Sequence, residues 1–342
     1  MEQAKPNYLP ADRAWLNRTQ EAALWPEWTV VDSHHHLWER PGLRYLLPEL
    51  AQDLAAGHAV SATVHVECAH GHRTTGPAEL RPVGETEFVV DLAKQYTGHT
   101  RICAGIVGYC DLRLGDRVDA VLEAHIQAGA GRFRGIRQPA GWDPNDAVSN
   151  SYPNPGRELF NDSNFISGFA RLWRHQLTFD AWVYHPQLPD VGNLARKFPD
   201  TVIVLDHLGG PLGIGPYLGR HDDVFPWWQR QIAELSRHEN IVVKLGGLGM
   251  RIGMFKFHQE EEPPPSSKVL AASWAPYLHE CISRFSPSRC MFESNAPIDQ
   301  ATCSYGLAWN ALKRLAAEYA EGERALLLGG TAERVYRLWP AG

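Results

Sequence analysis

Residues 30–39 read VVDSHHHLWE, so two valines and an aspartate lead directly into three consecutive histidines. The β-branched run that starts at Thr29 is typical of a buried strand. Side chains alternate along a strand, so His34 and His36 are expected to project to one side and His35 to the other. Burial of imidazole rings is costly unless they bind a metal ion or a substrate oxygen. The stretch therefore predicts a strand that ends in a functional histidine pair, and the alternative is a simple histidine cap at the surface.

Beyond this strand, short apolar runs alternate with segments of helical period. Amphipathic segments such as residues 116–129, which end at a glycine, separate the runs. Eight alternations within roughly 265 residues predict a (β/α)8 TIM barrel. A doubly wound open sheet is the rival, but it would carry a glycine-rich phosphate turn where the three histidines stand. The eight predicted strands cover residues 29–33, 61–67, 101–108, 132–136, 177–184, 201–205, 241–245 and 289–293.

The pattern indicates one barrel domain over residues 29–342, preceded by an N-terminal extension over residues 1–28. Two loops exceed the usual length, at residues 137–162 after the fourth strand and residues 246–268 after the seventh. Loops that follow strands hang over the carboxyl-terminal mouth of a barrel, where active sites are built. These two loops are therefore expected to cover or shape a site.

Composition argues against several classes of function. The net charge is −6, and basic residues do not alternate with aromatic residues in a stripe that would follow nucleic acid. Apolar runs stay well below the roughly 20 residues of a membrane helix, and the first residues lack a secretion pattern. The six cysteines form no CxxC pair and are expected to be reduced core thiols. We therefore expect a cytoplasmic protein with a small-molecule substrate, and a homo-oligomer is compatible with the sequence.

Further histidines occur at predicted strand ends. His185 follows the fifth strand and His207 follows the sixth. Each alone is as consistent with a structural role as with a functional one. Because the carboxyl ends of barrel strands converge, we expect them to meet the first-strand pair at one site. The predicted metal-ligand set is His34, His36, His185 and Glu293, and zinc is the favoured ion, although a metal-free mechanism is left open.

Acidic residues at the ends of two other strands are candidates for proton transfer. Glu67 ends the second strand, and Glu293 and Asn295 end the eighth on the same side. Hydrolysis needs a base that takes a proton from water and returns it to the leaving group. Asp32 and Asp206 are weaker candidates, expected to orient neighbouring histidines or backbone.

Cationic and aromatic residues near the same strand ends are candidates for substrate binding. Arg137 ends the fourth strand and Lys244 lies in the seventh. Cations beside a histidine cluster suggest a substrate with a carboxylate or a polarised carbonyl. A surface arginine that clamps a loop carboxylate is an equally good interpretation of Arg137. Trp142 and Tyr184 complete the predicted substrate contacts.

Together these residues make the chain resemble the amidohydrolase-related family of metal-dependent barrel hydrolases, in the branch of L-fuconolactonase and 2-pyrone-4,6-dicarboxylate lactonase. The resemblance implies a TIM barrel that opens a lactone or related cyclic ester, of a sugar acid or an aromatic-catabolism carboxylate, by water addition. It also implies that His34, His36, His185 and His207 hold a zinc ion or polarise the substrate carbonyl. The motifs that carry it are VVDSHHHLW, FRGIRQ, VYHPQLPDVGNLARKFPDTVIVLDHLGGP, VVKLGGLG, MFESNAPID and GGTAERVYRLW, in family order.

One position departs from the family pattern. The family ends its eighth strand with an aspartate that serves as general base, and Asn295 takes that place here. An amide has no basic site near neutral pH. Glu293 is the favoured replacement because it shares the inward side of Asn295, and Glu67 is the second choice.

Two other functions are compatible with this sequence. The wider superfamily includes decarboxylases and hydrolases of carbon–carbon bonds on a similar site, and product analysis would separate these from a lactonase. A non-catalytic protein that kept the pocket after loss of the aspartate is a third possibility, since fold alone does not fix function.

Overall fold

The computed structural model describes residues 12–40, 42–255 and 262–339. Its sheet has eight parallel strands, and each neighbour in the sheet is the next barrel strand along the chain. Each of the eight predicted strands coincides with one of them to within a few residues. The strands are β1 Thr29–His35, β2 Ala59–Val66, β3 Arg101–Gly108, β4 Phe133–Arg137, β5 Thr178–Ala181, β6 Ile203–Leu205, β7 Ile241–Leu245 and β8 Cys290–Phe292.

The first and last strands approach each other at their carboxyl ends. The Ser33 hydroxyl donates to the carbonyl oxygen of Phe292 at 2.8 Å, and the His36 amide donates to that of Ala296 at 2.8 Å. Neighbouring strands elsewhere in the sheet are joined by parallel ladders, with register shifts in the β1–β2, β2–β3 and β3–β4 pairs. The fold is therefore the TIM barrel that the sequence predicts.

Helices cover the outside of the barrel, and several begin at residues that suit a helix start. Asp162 and Ser266 accept hydrogen bonds from first-turn amides as N-caps. The first helix precedes the barrel. The other helices alternate with the strands or follow the last strand. Their bounds are α1 Arg13–Leu16, α2 Leu47–Leu54, α3 Val83–Gln95, α4 Val118–Ala128, α5 Ser163–Phe169, α6 Leu188–Lys197, α7 His221–Leu235, α8 Ser267–Phe285, α9 Tyr305–Ala316, α10 Glu321–Ala325 and α11 Thr331–Tyr336.

The lower part of the barrel interior is apolar and is closed by the C-terminal segment. Valines and alanines that point inward form one cluster with Tyr336, the last residue of α11, and with Leu338, which follows that helix. Gly105 of β3 makes room for this segment, because a Cβ there would lie 3.0 Å from Cδ2 of Leu338. The inward residues of the cluster are Val31, Ala62, Val64, Val66, Ala104, Val107, Val204, Val242 and Met291.

The segment before β1 packs on the outside of α8 and α9. Glu21 accepts hydrogen bonds from the amide and hydroxyl of Ser267, and Lys313 donates to the carbonyl oxygens of Leu24 and Trp25. The part of the predicted extension within residues 12–28 is thus bonded to the barrel's helices. Residues 1–11 lie outside the described residues.

The two long loops follow β4 and β7, as the sequence predicts. Part of the second, residues 256–261, lies outside the described residues. A short antiparallel hairpin, Trp38–Arg40 with Leu43–Tyr45, follows β1 and was not expected. In the described residues no helix combines the length and apolarity needed to cross a membrane.

Candidate active site

Six polar side chains from four strand ends meet at the carboxyl-terminal mouth of the barrel. Parallel strands place these ends on one side, so residues far apart in sequence become neighbours. All six are almost fully buried, with exposures between 0% and 4%. We call this set the mouth cluster. It consists of His34 in β1, His36 directly after β1, Asp206 and His207 after β6, Lys244 in β7, and Glu293 after β8.

A chain of hydrogen bonds links Lys244 to the two β1 histidines and to the end of β2. Lysine can only donate, so Lys244 Nζ donates to Nδ1 of His34 at 3.1 Å. His34 Nε2 then donates to Nε2 of His36 at 3.2 Å, and His36 Nδ1 donates to the carbonyl oxygen of Val66 at 2.8 Å. Burial, with the nearby Lys244 for His34 and Arg137 for His36, holds both histidine pKa values well below the usual range. Both rings are therefore neutral.

The third histidine of the β1 triplet faces away from the mouth. His35 Nε2 lies 2.8 Å from the hydroxyl of Thr63, and its ring meets that of His65 edge-on at 5.8 Å. The alternation expected from the strand thus separates His35 from His34 and His36.

Lys244 is the charged centre beneath the histidines. It is fully buried, and its ammonium lies 2.7 Å from Asp180 Oδ2 and 3.1 Å from Asp206 Oδ1. The hydroxyl of Tyr336 donates to the same Asp180 oxygen at 2.7 Å. Burial would lower the pKa of Lys244, but the two carboxylates outweigh it and raise the pKa. Lys244 is thus a permanent cation held by the protein's own carboxylates.

His207 and Glu293 form the shortest carboxylate–imidazole contact of the site. His207 Nδ1 lies 2.6 Å from Glu293 Oε1, and His34 Nδ1 lies 3.1 Å from Oε2. Burial would raise the pKa of Glu293, but His207 and His34 outweigh it and lower the pKa to about 2. Glu293 is therefore ionised, and a carboxylate can only accept, so His207 Nδ1 carries a hydrogen, and in the neutral ring the lone pair lies on Nε2.

The backbone around this pair is unusual in two places. His207 has φ +52°, a left-handed conformation that is uncommon outside glycine and concentrates at functional sites. Gly246 and Gly247 after β7 let the chain pass close by, because a Cβ at Gly247 would lie 2.5 Å from His207 Cγ and one at Gly246 2.4 Å from Glu293 Cγ. The GG pair of the sequence thus makes room for both catalytic candidates.

Arg137 connects Glu67 to the mouth cluster. Its Nε donates to Glu67 Oε1 at 2.7 Å and its Nη2 donates to the Glu67 carbonyl oxygen at 2.5 Å. The Nη1 atom lies 3.4 Å from His34 Nε2 and 3.6 Å from Asp206 Oδ2. Glu67, one of the two predicted bases, is thus engaged in an ion pair with Arg137. The Nη1 edge of the guanidinium points toward the mouth cluster.

Asn295 is held next to a carboxylate that the sequence did not single out. Its Nδ2 donates to Asp299 Oδ1 at 2.8 Å, and the amide of Gly249 donates to Asp299 Oδ2 at 3.0 Å. Burial raises the pKa of Asp299 to about 7. Asn295 Oδ1 is buried without a hydrogen-bond partner in the described part of the chain. Two groups therefore lie next to the end of β8: the acceptor atom Oδ1 of Asn295 and the carboxyl of Asp299, whose pKa is near neutrality.

His185 lies apart from the mouth cluster's hydrogen bonds. The amide of Leu212 donates to its Nδ1 at 3.3 Å, so Nε2 carries the hydrogen. Its ring packs edge-on against Tyr217 and Trp227, and burial lowers its pKa to about 4. His185 is therefore a neutral hydrogen-bond donor in this arrangement.

The two predicted aromatic contacts differ in exposure. Tyr184 is fully buried, and its hydroxyl donates to the carbonyl oxygen of Ser149 in the loop after β4 at 2.5 Å. Trp142 of that loop is half-buried, and its amide donates to Oε1 of Gln187. Tyr184 thus braces the loop that carries Trp142.

Sequence reasoning missed Asp180, Asp299 and Tyr336. A charged residue within the apolar run TFDAWVY was a usable signal for Asp180, because a buried charge in a strand requires a partner. Asp32, predicted to orient its neighbours, accepts from the amide and hydroxyl of Ser294 at 2.9 and 2.6 Å. It therefore anchors the segment that carries Glu293 and Asn295.

The donor set at the mouth fits a divalent ion. In the described residues, ligand atoms of His34, Asp206 and His207 lie within 4.8 Å of one another, and the fully buried Asp206 carboxylate is flanked by the cations Lys244 and Arg137. His36 adds Nε2 beside that of His34. Glu293 Oε2 lies 3.1 Å from Nδ1 of His34 and would accept its hydrogen in the tautomer that frees Nε2 of His34 for an ion. Nitrogen and oxygen donors with such support suit zinc and similar ions.

Two known proteins are similar to this chain over most of its length. An uncharacterized protein of Sinorhizobium fredii is 30% identical over 331 residues, which cover 90% of this chain and 98% of that protein. An L-fucono-1,5-lactonase of Burkholderia multivorans is 27% identical over 326 residues, with 90% and 96% covered.

Solved structures are similar to this fold over most of the chain. An amidohydrolase of Burkholderia multivorans, solved with bound HEPES and in another crystal form with bound zinc, superposes with TM-scores of 0.72 and 0.67. It is 25% identical, and the match covers 91% of this chain and all of that one. The sequence profile described as amidohydrolase matches residues 31–338. The chain therefore belongs to the amidohydrolase family.

Proposed function

We propose that the protein hydrolyses a lactone or a related cyclic ester of a sugar acid or an aromatic-catabolism carboxylate. The observation that carries the proposal is the ionised Glu293 bonded to His207 at 2.6 Å beside neutral histidines at the barrel mouth. Ester opening by water needs a base, a polarised carbonyl and an acid for the leaving oxygen, and such a set can supply them. The similarity to L-fucono-1,5-lactonases at 27% and 26% identity supports this class of substrate.

In the proposed mechanism His207 is the general base. Its Nε2 takes a proton from the attacking water, and Glu293 holds the ring orientation and stabilises the imidazolium that forms. The same nitrogen then returns the proton to the ring oxygen that leaves. This assignment moves the base from Glu293 itself to its hydrogen-bonded partner, because a carboxyl with a pKa of about 2 is a weak base.

Other residues of the site bind and orient the substrate. His185 offers its Nε2 hydrogen and Arg137 its Nη1 hydrogens to the carbonyl oxygen or a substrate carboxylate. Asn295 Oδ1 accepts a hydrogen bond from the water or a substrate hydroxyl, and the Trp142 ring forms part of the wall. Lys244 does not contact substrate in this proposal, because it is fully buried between Asp180 and Asp206. Its role is to position His34.

A divalent ion, preferably zinc, would be held by His34, His36 and Asp206. Of the ligands predicted from sequence, His185 and Glu293 are given other roles in this proposal, because His185 lies apart from the mouth cluster's hydrogen bonds and Oε1 of Glu293 is engaged with His207. When bound, the ion supplies Lewis-acid polarisation of the carbonyl oxygen. Metal content before and after chelation, measured in the protein and in a His36→Asn variant, tests this part separately from catalysis.

The function is tested with a panel of 1,4- and 1,5-lactones of sugar acids and with pyrone carboxylates. Ring opening is followed by acid release, and products are identified by mass spectrometry. We expect at least one lactone to be opened by the parent and not by His207→Gln. Release of carbon dioxide or cleavage of a carbon–carbon bond would replace the lactonase assignment. Binding without turnover by any panel member would favour a non-catalytic homologue.

A further inference from the structure

A second group of metal-binding side chains lies between the end of β2 and α3, outside the mouth cluster. His65 lies on β2, Cys68 and His72 follow it, and Glu85 belongs to α3. We call these four residues the flank cluster. The ligand atoms of His65, Cys68 and Glu85 lie within 4.8 Å of one another, and all three residues are buried. The side chains of Val64 and Val66 point into the barrel. The side chain of His65, between them on β2, points to the opposite face of the sheet and contacts Glu85 of α3.

The separations within the flank cluster match those of ligands around one small ion. Glu85 Oε1 lies 3.1 Å from Cys68 Sγ and 3.5 Å from His65 Nε2, and Glu85 Oε2 lies 3.6 Å from His72 Nε2. Ligands bound at zinc distances in a tetrahedron are separated by about 3.3–3.8 Å. The four side chains therefore need little movement to converge on one ion.

Several polar atoms of the flank cluster make no hydrogen bond. Both ring nitrogens of His65, Nε2 of His72 and Oε2 of Glu85 are buried and make none with any described residue, and the two Nε2 atoms have only the contacts of 3.5 and 3.6 Å with Glu85. A buried polar atom without a partner is costly, so native proteins rarely leave one, and four in one place call for an explanation. A bound cation accounts for three of them, because it accepts electron pairs from Nε2 of His65, Nε2 of His72 and a Glu85 oxygen. Nδ1 of His65 is not among its ligands, since an imidazole binds one ion through one nitrogen.

The residue types and their spacing select the ion. Residues 65–72 read HVECAHGH, so His65, Cys68 and His72 form an H-x2-C-x3-H segment, a short spacing of the kind that chelates zinc. Imidazole, thiolate and carboxylate together suit zinc, whereas magnesium and calcium prefer oxygen ligands alone. The amide of Cys68 also donates to Glu85 Oε1 at 2.8 Å, which holds the carboxylate in place.

We propose that the flank cluster is a structural zinc site that ties the end of β2 to α3. His65, Cys68, His72 and Glu85 close all four positions, as structural zinc sites do. The Cys68 thiol gives its proton to solvent as the ion binds, because zinc takes the thiolate. The side chain of His72, which is 32% exposed, provides the path by which the ion enters.

The site would also stabilise part of the mouth. Glu67 stands next to Cys68 and anchors Arg137 through both its carboxylate and its carbonyl oxygen. An ion that fixes Cys68 and His65 therefore fixes the backbone on which the Glu67–Arg137 pair depends. This inference does not rest on the proposed reaction.

Cobalt is the probe, because a thiolate bound to Co²⁺ gives an intense near-ultraviolet charge-transfer band and the mouth cluster contains no cysteine. The full-length protein is stripped of metal with a chelator and titrated with Co²⁺. We expect the band to saturate by two equivalents in the parent, because the mouth cluster can take the other ion, and to be lost in Cys68→Ser. The matched control is Cys103→Ser, because Cys103 is equally buried and its Sγ lies 3.9 Å from His35 Nε2. This control should keep the band.

Two further measurements separate the sites and guard against misfolding. A His34→Asn/His36→Asn variant, which disables the mouth cluster, should keep the band and the rise in Tm on Zn²⁺ addition. His72→Ala, which changes a partly exposed side chain, should fold and weaken Zn²⁺ binding roughly tenfold or more. A parent without the band overturns the proposal. A band unchanged in Cys68→Ser, or lost in the mouth variant, also overturns it.

Discussion

The Nδ1 atom of His207 lies 2.6 Å from Oε1 of Glu293, although 86 residues separate them in the chain. The carboxylate accepts a hydrogen from Nδ1, so in the neutral imidazole the lone pair is on Nε2. Because His207 also has a left-handed backbone conformation, the surrounding glycines and the β8 segment must hold it in place. The pair is thus a built feature of the barrel mouth, and its chemistry can be tested by removing either member.

The first prediction concerns this pair. His207→Gln removes the proposed base, and Glu293→Gln removes the charge that stabilises the imidazolium. We expect each to lower kcat about 10²–10⁴-fold on the best lactone, with a much smaller change in KM. The double variant should be little worse than either single one, because the two residues act as a unit. A Glu293→Gln enzyme with parental kcat would show that the carboxylate takes no part.

The second prediction concerns the buried cation. Lys244→Met leaves Asp180 and Asp206 without their ammonium partner, so we expect a loss of about 3–5 kcal/mol in the free energy of unfolding. Urea denaturation measures it, and Lys268→Met at an exposed helix position serves as the control, with an expected change within about 0.5 kcal/mol. Adding Asp180→Asn to Lys244→Met should recover part of the loss. A single variant as stable as the parent would mean that the carboxylates take up protons without cost.

The barrel and the place of its site could be predicted from sequence because both follow from local pattern. Strands of apolar residues alternate with amphipathic helices, and polar residues at strand ends are brought together by the closed topology. For the β1 histidines, period-two alternation alone separates His35 from His34 and His36. Predicted strand ends are less accurate, since β5 ends at Ala181 rather than residue 184.

The partners within the site could not be predicted, because they depend on long-range approach. The sequence suggests Lys244 as a substrate contact, yet Asp180 on β5 and Tyr336 on α11 come close enough to bury it. Asp299 is four residues from Asn295, but nothing in its sequence context indicates that Gly249 lies beside it. The hairpin after β1 and α2 were missed as well, because segments this short carry little periodicity.

The third prediction is a pH effect at Asp299. Burial raises its pKa to about 7, above the usual value near 4, so the folded state binds a proton more tightly than the unfolded state. This carboxyl therefore lowers stability as pH rises from about 4 through 7. Asp299→Asn removes that loss, and we expect its stability relative to the parent to improve by about 1–3 kcal/mol between pH 5 and pH 8. Thermal unfolding at both pH values measures the difference, and a pH-independent offset would contradict it.

The fourth prediction is an acid effect at a histidine that is not part of the mouth cluster. His125 of α4 is fully buried between the hydroxyl of Thr86 and the carbonyl oxygen of Tyr109, and burial lowers its pKa to about 4. The folded state keeps the ring neutral while the unfolded state takes up a proton below about pH 6.5, so stability falls as pH drops from 6.5 toward 4. In His125→Gln this fall should shrink by roughly 2–3 kcal/mol, measured by urea unfolding at pH 7 and pH 4.5. His99→Gln, at an exposed position, should keep the parental fall. If both variants keep it, other groups account for the acid sensitivity and the neutral state of His125 contributes nothing to it.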